Sequence, residues 1–150
     1  MYKSLGMMIL LLLGLITIGC SNSSNSSNSS INGTWTANLT NPDGTPAYSF
    51  TTDFTEQSGG SLSITNFKFT SSGTCFSSAT TQTGSFGLSG NFNGSVMGTF
   101  GMNISTTFPS GTNNQLALQG TVNGNTITGT WTLTGATGCS GNGNFTINKM

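Results

Sequence analysis

From residue 31 to residue 150, apolar side chains recur at every second position, and each run breaks off at a cluster of Gly, Asn, Ser or Thr. A period of two places those side chains on one face of an extended strand, whereas an amphipathic helix needs spacings of three and four. That regularity predicts an all-β fold. Trp35, Ala37 and Leu39 share one face of a first strand, and Tyr48, Phe50 and Phe54 share one face of a second. Leu62 and Ile64 begin a third, where the phase then slips by one residue to Phe67 and Phe69, which predicts a β-bulge near Thr65 or Asn66. Phe86 and Leu88 mark the next strand, followed by Val96, Phe100, Met102 and Ile104, then by Leu116, Leu118 and Val122. Ile127, Trp131 and Leu133 precede a last strand with Phe145 and Ile147, giving about eight strands in all.

Two stretches repeat one pattern. Leu88 to Phe100 aligns with Leu118 to Trp131, so that Gly90, Phe92, Gly94, Val96 and Gly98 match Gly120, Val122, Gly124, Ile127 and Gly129, with one residue inserted after the turn. Each copy reads as a hairpin, in which Asn93-Gly94 and Asn123-Gly124 supply the positive φ of a tight turn. Gly90, Gly98, Gly120 and Gly129 fall in phase with the inward apolar residues. There they either make room for Phe100 and Trp131 or lay backbone open to a ligand. Successive hairpins without a helical crossover imply an antiparallel up-and-down meander. Such a sheet removes its exposed edges by closing into a small barrel, with a two-layer sandwich as the alternative.

Charge narrows the function. Only 4 per cent of residues are charged, the formal net charge is zero, and there is no His. General acid-base work needs a positioned group with a tunable pKa, so the chain is expected not to be an enzyme. Asp43 sits in the turn signal Asn41-Pro42-Asp43-Gly44, where it should bond local backbone. Asp53 and Glu56, three apart on a strand, should face opposite ways and form no acid-base pair. Lys68, between Phe67 and Phe69, reads as an outward gatekeeper. A molecule with no basic stripe is a poor partner for nucleic acid, and without His or a Cys-x-x-Cys spacing no metal site or cofactor is expected.

The first twenty residues read as an export signal: Lys3, then an apolar run from Leu5 to Ile18 that is shorter than the roughly 20 residues needed to span a bilayer. It stops at Gly19-Cys20, which resembles the bacterial lipobox, with Thr17 where that motif usually has Leu. The resemblance implies a lipoprotein diacylated on Cys20 and held to the membrane by that anchor. Ser21 to Ser30 is a Ser/Asn triplet repeat with nothing to bury, expected to be a disordered linker spanning roughly 15 to 20 Å. The layout is therefore a signal peptide over 1–20, a linker over 21–30 and one barrel domain over 31–150. In such lipoproteins an Asp after the lipidated Cys favours inner-membrane retention; Ser21 implies a cell-envelope protein of the outer membrane, where the organism has one. With Cys20 acylated, Cys75 and Cys139 remain in an exported chain and are expected to form a disulfide between two turn-rich segments.

Gly33-Thr34-Trp35, at the start of the first strand and echoed at Gly129-Thr130-Trp131, resembles the Gly-x-Trp signature of the calycin-type barrels, lipocalins and avidins among them. The resemblance implies a meander barrel that holds a small uncharged or apolar ligand, with Trp35, Phe54, Phe100 and Trp131 as the inward residues to contact it. Lipocalins pack a late basic residue over the signature Trp, and this chain has no Arg. Avidins use an Asn two residues after it, and here that position is Ala37, so biotin binding is not carried over. Two functions remain: a lipid-anchored binding barrel, or an envelope interaction protein whose barrel is fully packed.

Overall fold

The computed structural model describes residues 31–76, 80–92, 95–107 and 113–150. The signal segment 1–20 with Cys20, the linker 21–30 and the Asn93-Gly94 turn lie outside the described residues. Eight strands follow one another: β1 Gly33–Thr40, β2 Pro46–Glu56, β3 Ser61–Ser71, β4 Thr81–Phe92, β5 Ser95–Thr107, β6 Asn113–Asn123, β7 Thr126–Thr134 and β8 Gly141–Lys149. Each pairs antiparallel with the next, and β8 returns to β1 through Trp35↔Lys149, Ala37↔Ile147 and Leu39↔Phe145, which closes the barrel. The period of two reappears as burial: Trp35, Ala37 and Leu39 on β1 and Leu116, Leu118 and Val122 on β6 all face inward and are sealed from solvent.

The third strand behaves as its broken phase foretells. Between Thr51 and Asp53 of β2 the register with β3 shifts, and Asn66 adopts φ 51, the one non-glycine positive φ among the described residues. Asn tolerates that conformation better than a bulky side chain. The Asn66 amide donates to Asp53 Oδ2 at 2.6 Å and the Thr52 hydroxyl to the Thr65 carbonyl at 3.0 Å, so polar groups freed by the bulge find partners. β3 meets β4 only at Ser61↔Ser85 and Leu62↔Gly84, the shortest ladder of the barrel.

Both hairpins of the repeated pattern form, with two corrections. The β6–β7 turn is Gly124-Asn125, closed by the pair Asn123↔Thr126, and of the two expected turn residues only Gly124 has a positive φ, 60°. A positive φ at the first turn position alone is the type II′ pattern; the residue inserted in this copy moves the turn one place along. On β4 the ladder shifts between Leu88 and Gly90, so Gly90 pairs with Met97, whose exposed side chain marks an outward position. One extra residue on β4 thus takes Gly90 out of the inward set. The other three glycines keep their place. A Cβ on Gly98 would strike the Phe86 ring, and Gly120 and Gly129 pair so closely that a Cβ on Gly129 would lie 2.5 Å from the Gly120 Cα.

With eight strands, β1 begins and β8 ends at the same end of the barrel. There Ile31, just ahead of β1, is fully buried and its carbonyl accepts the Trp35 indole N–H at 2.7 Å. At the opposite end the β3–β4 and β7–β8 loops are joined by the disulfide Cys75–Cys139, which closes 64 residues. Asn114, fully buried at the start of β6, spans the same two loops. Its Nδ2 donates to the Cys75 carbonyl and its Oδ1 accepts from the Ala136 N–H, both at 2.8 Å.

Candidate functional site

The four residues singled out as inward all face the barrel interior, but the structure does not bring them into one place. Trp35, Phe54 and Phe100 form a chain with ring centroids 6.0 and 5.5 Å apart, and Phe145 extends it at 6.2 Å from Phe100. Trp131 belongs to a second cluster towards the disulfide end, edge-on to Tyr48 at 5.6 Å, while Tyr48 meets Phe76 at 5.8 Å and Phe76 stacks on Phe69 at 5.0 Å. The Trp131 indole N–H donates to the Thr40 carbonyl at 2.9 Å. None of the four is more than 2 % exposed, so their faces are spent on one another and on aliphatic neighbours. Tyr48, Phe67 and Phe69 are only half-buried, and burial pushes the Tyr48 phenol above its usual pKa.

The signature glycine has a physical use here. Gly33 has φ 134, and a Cβ on it would come within 2.9 Å of the Lys149 side chain. That side chain crosses it to set its ammonium 5.9 Å from the centre of the Trp35 ring. A late basic residue, Lys149, thus lies over Trp35 although the chain has no Arg, delivered by the Trp35↔Lys149 pair of β1 and β8. Sequence reasoning missed it, along with Ile31, Phe76 and Asn114. Counting Lys together with Arg in the closing strand would have found it.

Asp43, ahead of β2, lies away from Asp53 and Glu56 near its far end, and the carboxylates of Asp43 and Asp53 are engaged locally. Asp43 Oδ1 accepts from the Thr45 N–H at 3.0 Å and from its hydroxyl at 2.6 Å, and these bonds hold the carboxyl below its usual pKa. Asp53 is lowered by hydrogen bonds from Thr34 first and Asn66 second. Glu56 ends β2, exposed, and its backbone N–H donates to Asn32 Oδ1 at 2.6 Å. Lys68 is exposed between half-buried Phe67 and Phe69. No group of three or more His, Cys, Asp or Glu side chains gathers among the described residues.

Two depressions among the described residues lie on the outer wall. One of about 250 Å³ is bounded by Pro42, Thr130, Thr132, Asn142 and Asn144 and reaches Trp131 and Gly143. The other, of about 160 Å³, lies over Gly101 among Thr83, Ser85, Asn103 and Gln119. No family model, no curated protein and no solved structure matches the chain.

Proposed function

We propose that the chain is a non-catalytic lipoprotein of the cell envelope, anchored through Cys20, whose packed barrel works through its outer wall. The observation that carries the outer-wall reading is that Trp35, Phe54, Phe100 and Trp131, the rings best placed to line a cavity, are sealed within two aromatic clusters. The Gly19-Cys20 junction, the short apolar run before it and the Ser/Asn linker after it support the anchor. The distance of Asp43 from Asp53 and Glu56 along β2, and the local hydrogen bonds that occupy Asp43 and Asp53, support a role without catalysis. The outer membrane is the proposed address, where the organism has one.

Growth with a labelled fatty acid tests the anchor: the wild type should carry label and Cys20→Ser should not, and label on the variant overturns the lipoprotein reading. A second reading, a small uncharged or apolar ligand in the barrel mouth, draws support from half-buried Tyr48, Phe67 and Phe69 at the disulfide end. Native mass spectrometry of the protein recovered from its host decides between the two, since a stoichiometric co-purifying mass favours the ligand.

A further inference from the structure

Charge is unevenly distributed over this barrel. Among the described residues Asp43 lies in the β1–β2 turn, Asp53 and Glu56 on β2, Lys68 on β3, and Lys149 at the end of β8. The outward residues of β6, β7, β8 and β1 offer only hydroxyls, amides and an occasional alanine, Lys149 being in the inward phase of β8. On β7 they are threonines throughout, Thr126, Thr128, Thr130, Thr132 and Thr134. Pairing with β8 sets Thr130 beside Asn144 and Thr132 beside Asn142. Those four exposed side chains surround the 250 Å³ depression, with Pro42 of the β1–β2 turn as its further wall.

We propose that this depression and the threonine ladder running from it bind a neutral polysaccharide chain. Chemistry, size and repeat all point to that occupant. No described hydrogen bond takes up the side chains of Thr130, Thr132, Asn142 or Asn144, and the same holds for Asn103 beside the smaller depression, so what sets this depression apart is its Pro42 wall and the ladder leading from it. Free amides and hydroxyls suit a ligand made of hydroxyls, and the one charge close by, the Asp43 carboxylate next to Pro42, gives an anionic polymer no counter-charge. At about 250 Å³ the depression falls below the roughly 300 to 1,000 Å³ of sites that enclose a drug-sized molecule, so it fits one ring of a longer chain. Pro42 gives that ring an apolar wall. Beyond it, alternate residues of β7 repeat a hydroxyl roughly every 6.6 to 6.8 Å, so that successive units of a polymer find like contacts. The smaller depression over Gly101 has no such apolar wall and serves as the internal control.

The inference rests on the outer wall being the working surface and not on the anchor. The test is a titration of the full-length chain in detergent with cellohexaose, chitohexaose and maltohexaose, followed by NMR of side-chain amides. At least one neutral chain should shift the amides of Asn142 and Asn144 and leave that of Asn103 in place. Asn142→Ala and Asn144→Ala should each weaken binding about two- to tenfold, the effect of one lost hydrogen bond, with the melting temperature unchanged. Pro42→Ala should weaken it without removing any polar contact. The proposal is overturned if none of the three hexaoses shifts those amides, if the shifts fall on Asn103 instead, or if binding survives the double Asn variant. Tighter binding of polygalacturonate, an acidic chain, would overturn it as well. None of these outcomes bears on the anchor, which fatty-acid labelling reads separately.

Discussion

At the end where β1 begins, the barrel is closed by side chains that are near neighbours in sequence or lie on adjacent strands: Ile31 and Trp35, then Phe54 from β2 and Lys149 from β8. At the other end, loops far apart in the chain are drawn together by Cys75–Cys139 and by one buried amide, Asn114. The difference follows from the connections. Close pairing can bring a ring over the first end, but the β3–β4 and β7–β8 loops belong to strands that do not touch, and holding them together needs a bond that outweighs the entropy of a long loop. Packing alone closes one end, and at the other long-range latches are added to the packing of Trp131, Tyr48 and Phe76.

The strongest way to break this comparison is Trp35→Ala. Truncating a buried aromatic typically costs about 3 to 5 kcal/mol, a large part of the roughly 5 to 15 kcal/mol that holds an ordinary domain folded. Circular-dichroism melting should show a strongly lowered melting temperature, and an unchanged one would mean that packing does not close that end. Replacing both Cys75 and Cys139 by Ser should cost at most about 4 kcal/mol, chiefly through the greater freedom of the unfolded chain. Chemical denaturation of the double variant should therefore show a lower midpoint while the barrel still folds.

Asn114→Ala leaves the Cys75 carbonyl and the Ala136 N–H without their partner, at an expected cost of about 2 to 3 kcal/mol. Because the amide and the disulfide hold the same two loops, their effects should not add, and a denaturation cycle over the two sites reads the coupling. Additive losses would mean that the latches act independently. Lys149→Met keeps a long side chain over Trp35 but removes the charge, so it should cost only about 0.5 to 1 kcal/mol, read as a small drop in the denaturation midpoint.

The smallest effect is acidic. Asp53 is held below the usual carboxylate pKa by Thr34 and Asn66, so its stabilisation is fully present above the ordinary carboxylate value and fades as the pH falls through the lowered one. Wild type and Asp53→Asn should therefore differ slightly in melting temperature near neutral pH and converge in strong acid. Divergence in acid would place the partners of Asp53 elsewhere.

How much of this could be read beforehand depended on distance along the chain. The strands, their inward faces and the bulge at Asn66 follow from a period of two and one slip in it, all within a dozen residues. The barrel was legible because short turns leave a meander few other ways to hide its edges. The disulfide was legible from cysteine parity, a count that needs no geometry. Asn114 was not, since one Asn among many carries no mark of burial until loops from β3–β4 and β7–β8 meet around it. The site fared likewise: the inward phase of Trp35, Phe54, Phe100 and Trp131 was visible, but their division between two clusters depends on how far along the barrel each sits. The outer depression arises where β7, β8 and a turn some ninety residues earlier in the chain converge, and no local pattern announces it.

Because β1 starts and β8 finishes side by side, with the Met150 N–H bonded to the Thr34 carbonyl at 2.9 Å, β1 is gripped along its length by β2 and β8. A pull on the chain ahead of Gly33 acts along the axis of that strand. Its two ladders then bear the load in shear, every rung strained together, whereas a force across the strand would unzip them singly. A barrel tugged from its first strand in this direction resists as a bolt resists being drawn lengthwise from its sleeve.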